Sequence, residues 1–356
     1  MTSRLSDIAA HAGVSTATVS RVLNERSGVS EQSKRAVLTA LDVLGYQRPA
    51  LLQRRHTGLV GVIIPELDNP IFPMFAQVIE SGLAQQGFTP LLCSRIPGGI
   101  SEDEYIDLLG DHGVAGIIFV SGFHADTTAD LSRYSRLRES GLPLAFINGY
   151  TDRIDASFVS DDDAAAMDLA VGHLVSLGHT AIGFAVGPQR FVPAQRKLAG
   201  YRAAVRRHLG ADATEQVSVT LFTVEGGQAA ANVLLDKGCT ALVCGSDLMA
   251  LGAIRAVKAR GLQVPGDVSV IGYDDSMLMG YTDPPLTTIR QSVLAMGMAA
   301  VQALADEIAG HPPHRTELQF QPELVVRGST GSGPRVVPPR AAASPSVPDR
   351  TVSMRG

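Results

Sequence analysis

From Leu59 onward the chain alternates short apolar runs with amphipathic stretches, and it does so in two successive series. Strands are expected at Leu59–Ile64, Pro90–Cys93, Gly116–Val120 and Leu144–Ile147. A second set is expected at Ala181–Val186, Val217–Leu221, Ala241–Cys244 and Val268–Gly272. Helices are expected between them, around 72–86, 102–111, 131–140, 164–177, 195–209, 226–236, 247–260 and 293–309. Near-continuous apolar strands are those buried on both faces, and strand–helix alternation demands parallel pairing through crossover helices. The fold class imposed on this part is α/β, with two doubly wound parallel-sheet lobes dividing near 158–162. Sheets of this kind bind ligands beyond the carboxyl ends of their strands, which places a site in the cleft between the lobes.

Ahead of this region, residues 5–46 read LSDIAAHAGVSTATVSRVLNERSGVSEQSKRAVLTALDVLGY. A short helix from Ser6 to Ala12 is expected to turn at Gly13, where a positive φ costs glycine nothing. Ser15 is the expected N-cap of a second helix, its hydroxyl accepting from an orphan first-turn N–H. Ile8, Ala12, Val14, Val19, Val22 and Leu23 fall on inward faces. Val37, Leu41 and Leu44 form the stripe of a third helix bounded by Ser30 and Gly45. Three short helices around so small a core suit an all-α helix-turn-helix, whose second helix enters the DNA major groove. On its polar side Ser15, Thr16, Ala17, Thr18, Ser20, Arg21 and Asn24 are small or hydrogen-bonding, and Arg21 can bond guanine O6 and N7 in bidentate fashion. A purely structural helical subdomain is the alternative, but no long acidic side chain interrupts that face before Glu25. Charge favours DNA as well: residues 1–58 carry eight Lys or Arg against four Asp or Glu, whereas the remainder carries 22 against 31. A positive head on a negative body confines phosphate attraction to the head.

No run of eighteen apolar residues offers a membrane span, and the N-terminal residues lack a signal-like apolar core. A cytoplasmic protein without membrane contact is therefore expected. Cys93, Cys239 and Cys244 are an odd set within apolar runs, read as reduced core thiols. No cofactor and no metal ion is expected. Nor is an enzyme: a nucleophile elbow, a P-loop, metal-spaced histidines and a catalytic carboxylate pair are all missing from the sequence. Asp161, Asp162 and Asp163 are read as capping the following helix or lining the cleft. The tail, residues 330–356, is rich in Pro, Ser, Ala and Arg and is expected to be disordered. A basic DNA-contacting arm is its alternative.

These stretches carry a family resemblance. GVSTATVSRVLN with GVSEQSKRAVLTALDVLGY resembles the headpiece of the LacI/GalR family of bacterial transcription regulators. The likeness continues through NPIF (69–72), HLVSLGH (173–179), KLAGYRAA (197–204), SDLMALGAIRA (246–256), VSVIGYDD (268–275) and PPLTTIRQ (284–291), so it covers about residues 4–329. It implies a helix-turn-helix headpiece at 1–46, a hinge at 47–58 and a periplasmic-binding-protein-like core at 59–329. The implied lobes are 59–158 plus 288–320, and 159–287, with crossings near 158–162, 286–292 and 320. The implied protein is a homodimeric repressor on a pseudopalindromic operator in double-stranded DNA, with affinity controlled by a small-molecule effector between the lobes. PELDNPIFP, GGISEDE, SGFHADTTAD and GPQRFVPAQRK resemble the maltose and amylase regulators of high-GC bacteria, which implies a sugar effector such as maltose or a maltodextrin. A free-standing sugar receptor and a regulator with a non-sugar effector are the alternatives.

Residue roles follow from the resemblance position by position. The hinge of the family wedges a leucine into the minor groove, which points to Leu51 or Leu52, with Arg54 for phosphates or a narrow groove. Here the hinge departs from the pattern: it is about three residues shorter, and Pro49 stands one residue late. A plain basic linker is the competing reading. Asp274 matches the family aspartate that accepts from effector hydroxyls, though it can instead cap the following turn. Asn69 and Phe72 stand where effector contacts are implied, and Phe72 is equally a core candidate. Lys197 replaces the usual arginine, with Arg196 beside it, and Ser246 replaces a common asparagine. From the residues themselves, Phe191 is an aromatic that can stack on a sugar face, and Gln291 lies where it can bridge the lobes with both donor and acceptor. Asp247 is expected to cap the helix after it.

Overall fold

The computed structural model describes residues 2–24, 26, 28–46, 58–95, 98–210 and 216–333. The linker segment 47–57, with Leu52 and Arg54, and the tail segment 334–356 lie outside the described residues.

Three helices make the headpiece: α1 (Thr2–Ala12), α2 (Thr16–Leu23) and α3 (Glu31–Val43). Gly13 turns the chain at φ +65°, and Ser15 Oγ accepts from Thr18 N at 3.1 Å to start α2. Ser30 Oγ starts α3 in the same way, accepting from Ser33 N at 3.1 Å. Ile8, Val19, Val22, Val37, Ala40 and Leu41 are buried together. Leu44 does not join them: it is 37% exposed, because α3 stops at Val43 and the chain turns at Gly45 (φ +68°). Tyr46 packs on the core instead, its N–H donating to Leu41 O at 2.9 Å.

The first lobe contains β1 (Gly58–Ile64), β2 (Phe88–Ser94), β3 (Gly116–Val120), β4 (Leu144–Ile147), β5 (Ser157–Asp161) and β11 (Glu317–Phe320). They form one parallel sheet in the order β11-β5-β4-β3-β1-β2. Helices α4 (Ile71–Gln85) and α11 (Val293–Ile308) pack on one face, and α5 (Glu102–Asp111) and α6 (Ser132–Glu139) on the other. The second lobe contains β6 (Ile182–Val186), β7 (Val217–Val219), β8 (Ala241–Cys244), β9 (Ser269–Asp274), β10 (Thr287–Arg290) and β12 (Glu323–Val325), ordered β12-β10-β9-β8-β6-β7. All its pairs are parallel except the edge pair β10–β12. One face is covered by α7 (Asp163–Ser176) and α8 (Val192–Leu209), the other by α9 (Val224–Asp236) and α10 (Asp247–Ala259). Each buried Val, Leu, Ile or Phe of these four clusters contributes about 1.5–3 kcal/mol. The sheets are therefore the rigid frame on which strand-end side chains are held.

The chain crosses between the lobes after β5, after β10 and after β11, and the observed limits correct the expected ones. Val159 belongs to β5 of the first sheet, paired with Ile147, so the second lobe begins only after Asp161. Thr288 to Arg290 belong to the second sheet through pairing with Gly272 to Asp274. Strand hydrogen bonds run to the carboxyl end before the chain leaves, and hydropathy does not mark that point. Past β11 the chain returns to the second lobe, as the antiparallel edge strand β12. The expected disordered tail also starts too early. Thr330 Oγ1 lies 3.0 Å from His173 Nε2, Gly331 N donates to Ser269 Oγ at 3.0 Å, and Gly333 N donates to Leu177 O at 2.8 Å. Residues 330–333 are thus strapped to the second lobe. All three cysteines are buried and free.

Candidate DNA-reading face and effector cleft

Helix α2 presents Thr16, Ala17, Arg21 and Asn24 exposed on one side, with Ser20 half-buried beside them and Val19 and Val22 buried on the other. Ser15 and Thr18 share a 2.9 Å hydroxyl contact at the helix start, so their oxygens are partly committed to the cap. Asn24 is committed too, its Nδ2 donating to Ser20 O at 2.7 Å. Arg21 remains the long donor-rich side chain of that face.

Between the lobes, at the carboxyl ends of the strands, lies a cavity of about 540 Å³. Asn69, Phe72, Phe191, Lys197, Ser246, Asp274 and Gln291 all line it. Arg196 does not. Its guanidinium leaves α8 toward the first lobe and grips Glu317 of β11 with both arms, at 2.5 and 3.1 Å. Lys197 and Arg196 are one residue apart, about 100° on a helix, so only one can face the cleft.

The hinge side of the cavity is polar and tightly connected. Lys197 Nζ lies 2.9 Å from Asp163 Oδ1 and 3.9 Å from the Tyr273 ring centroid, while the Tyr273 hydroxyl donates to Asp163 Oδ1 at 3.2 Å. Most of the lysine charge is therefore balanced within the protein. Tyr273 is 1% exposed and belongs to this buried network. Gln291 Nε2 donates to Asp274 Oδ1 at 2.7 Å. Burial foremost, then the nearby Asp247 charge, raises the Asp274 carboxyl well above the usual carboxylate range, against the pull of Lys197 and Gln291. At the end of β5, burial pushes Asp161 up to about 7. Asp162 is the N-cap of α7, accepting from Ala164 N and Ala165 N at 3.1 and 3.0 Å.

The capping role expected of Asp247 falls to its neighbour. Ser246 is the N-cap of α10, its Oγ accepting from Met249 N at 3.3 Å. Asp247 instead ties three segments together, accepting from Thr288 Oγ1 at 2.6 Å and Ser276 N at 2.8 Å. Its carboxyl is pushed up to about 6, chiefly by burial. Asn69 Oδ1 reaches Ile71 N at 3.5 Å at the start of α4. Phe72 satisfies both of its readings, packing on the first-lobe core and lining the cavity.

Aromatic surface comes from both lobes: Phe72, Phe75 and Phe123 from the first, Phe191 and Phe222 from the second. Arg95 and Arg133 flank the Phe123 ring, at 4.6 and 4.8 Å from its centroid. Sequence reasoning missed Arg95, Ser121, Asn148 and Phe222 as lining residues. Asn148 had a readable signal, since Asn-Gly directly after an apolar strand tolerates positive φ. Phe222 had none. Among the described residues, the non-glycine positive-φ positions are Ser121, Asn148, Asp274 and Asp275, each at the carboxyl end of β3, β4 or β9. Such backbone concentrates at ligand sites.

A helix-turn-helix headpiece preceding a two-lobed core with a small-molecule-sized cleft defines a DNA-binding transcription regulator rather than an enzyme. Residues 4–49 match the family described as bacterial regulatory proteins, lacI family, and residues 171–330 match the periplasmic binding protein-like domain. The regulator MalR of Streptomyces coelicolor is 59% identical over 338 residues, spanning 94% of this chain and 98% of that protein. Among solved structures, the transcriptional regulator CelR–cellobiose complex is 32% identical, with 91% and 99% of the two chains covered and a TM-score of 0.67. The lac repressor dimer bound to operator and the anti-inducer ONPF is 27% identical, with 92% and 98% covered and a TM-score of 0.65. The chain belongs to the LacI family. Among the described residues, no helix is long and apolar enough to cross a membrane.

Proposed function

We propose that this regulator is a homodimeric, cytoplasmic repressor of carbohydrate-utilisation genes. Its affinity for a pseudopalindromic operator is set by a sugar held in the interlobe cleft, with maltose or a maltodextrin as the favoured effector. Thr16, Ala17, Ser20 and Arg21 read base edges, while Ser15, Thr18 and Asn24 shape the helix that carries them. Asn69, Phe72, Phe191, Lys197, Ser246, Asp274 and Gln291 form the effector site, joined by Phe123, Asn148 and Phe222.

The observation that carries the reading is the composition of one cavity. Phenylalanine faces from both lobes surround strand-end amides, hydroxyls and a carboxyl, a combination suited to the apolar faces and hydroxyl edges of a sugar. Its length supports more than one sugar ring. In the second lobe the lining residues follow β10, β9, β8, β6 and β7, which are neighbours in that order. Strands spaced about 4.8 Å apart then make the cleft about 19 Å long. The structural neighbour solved as a complex with cellobiose supports a sugar effector.

The test is a thermal-shift and calorimetric panel on the full chain with maltose, maltotriose, cellobiose, glucose and ribose, since a native-state ligand raises apparent stability. Operator binding is then measured with and without the sugar that binds, at fixed salt. Binding of maltose or maltotriose with release of operator is expected. Silence across the panel would overturn the sugar reading.

A further inference from the structure

Asp274 and Asp275 occupy consecutive positive-φ conformations, +120° and +54°. Backbone of this kind persists only where its surroundings over-determine it, and the surroundings here are specific. The Asp275 side chain is 7% exposed and meets two guanidinium groups. Arg290 Nε donates to its Oδ2 at 2.7 Å, and Arg327 lies 2.6 Å from its Oδ1. Arg290 also reaches Glu323 at 3.0 Å. Arg327 is itself anchored, donating to Leu286 O at 2.8 Å and, through its N–H, to Thr287 Oγ1 at 2.9 Å. On the other side, Asp247 accepts from Ser276 N. None of Asp275, Arg290 and Arg327 lines the effector cavity.

The placement of the two arginines matters more than their charge. Arg290 ends β10 and is followed directly by Gln291, which donates to Asp274 at the end of the neighbouring strand β9. Arg327 follows β12, the strand by which the chain re-enters the second lobe. The turn that aims Asp274 is thus fastened to the ends of the two neighbouring strands of its own sheet.

Resting on the proposed effector role of Asp274, we propose that Asp275, Arg290 and Arg327 are positioning residues. They form an ionic clamp that fixes the direction of the Asp274 carboxyl. Two guanidinium forks on one carboxylate define its orientation in a way that a point charge does not. Because β9, β10 and β12 are neighbours in one sheet, the clamp holds the Asp274 turn fixed against the adjoining strand ends on the second-lobe side of the cleft.

The experiment uses the full chain with maltose as probe and the variants Asp275→Asn, Arg327→Met, Arg327→Lys and Asp275→Asn/Arg327→Met. Maltose affinity is expected to fall about tenfold in Asp275→Asn and Arg327→Met, the equivalent of one misaligned hydrogen bond. The double variant is expected to be no worse than either single, since the partners act as a unit. Lysine at 327 should recover part of the loss. Sugar-free operator affinity should stay within about twofold of the parent, because the headpiece surface is untouched. Folded single variants with parental maltose affinity, or losses that add in the double variant, would overturn the clamp. Hydrogen exchange of the 273–278 backbone provides a readout independent of any sugar. Faster exchange there in Asp275→Asn is expected, and unchanged exchange would also overturn the clamp. If the parent binds no maltose, the clamp is decided by exchange alone, and the effector reading is decided separately by the full sugar panel.

Discussion

Replacing Asp274 with Asn tests how the cleft recognises its effector. The Asp274 carboxyl is 4% exposed, has a neutral donor in Gln291, and is raised well above 3.8 by burial and by Asp247. Sugar hydroxyls would supply the donors that the ionised form lacks, so binding should lower that pKa and release a proton. The sign is definite: a pKa higher in the free than in the bound protein makes affinity increase as pH rises through the interval between them. Hydrogen bonds to a charged acceptor contribute about 1.5–3 kcal/mol against about 0.5–1.5 for a neutral one. Asn keeps the size, faces Gln291 with its own carbonyl, and turns an amide donor toward the ligand. The expected loss is about 1–3 kcal/mol, or about 5- to 150-fold in effector affinity, with the pH dependence flattened. Calorimetry in buffers of different ionisation enthalpy measures both the affinity and the proton count, and operator binding without sugar should be unchanged. Parental affinity and proton release in folded Asp274→Asn would refute the reasoning and leave Asp274 as a turn-forming residue.

Four further outcomes are expected. Arg21→Ala should cost about 1–3 kcal/mol on the operator and relax selection at one base pair per half-site; an equal loss on random DNA would make Arg21 a phosphate contact. Asp161 titrates near 7 in the fold against 3.8 as an ordinary carboxyl. The folded state therefore holds the extra proton, and stability should decline between those two pH values by at most about 4 kcal/mol. Urea unfolding across that range should show the slope in the parent and a shallower one in Asp161→Asn. Gly187→Ala would place a methyl 2.0 Å from the Phe222 ring, so the ring must shift within the cleft and weaken sugar binding in a folded protein; unchanged affinity would remove Phe222 from the site. Ser15→Ala should destabilise the headpiece by about 1 kcal/mol through loss of the cap, read as a lower headpiece melting temperature without a change in the core transition.

The strand-end rule located the cleft, and the family resemblance, through Asp274 after VSVIGY and Asn69 after the first strand, supplied the residues expected in it. Seven of the eight expected effector residues line one cavity. The eighth, Arg196, failed for a reason absent from its neighbourhood in the chain: its partner Glu317 is 121 residues away. The sequence also offered Lys197 as a charge for the ligand, whereas Asp163 and the Tyr273 ring hold it.

What the sequence by itself determined is what short-range chemistry encodes. The caps at Ser15 and Ser30, the turn at Gly13, the inward stripe of each headpiece helix and the strand–helix alternation all depend on spacings of a few residues. Only the tertiary structure decided where each strand ends before the chain crosses between the lobes, and which carboxylates share the hinge with Lys197. It also decided that Phe222 enters the cleft and that Asp247 ties segments rather than capping a helix. Those facts arise from side chains brought together by stacked sheets. Their burial and pairing energies exist only after helices and sheet have packed into a lobe, so no local pattern carries them.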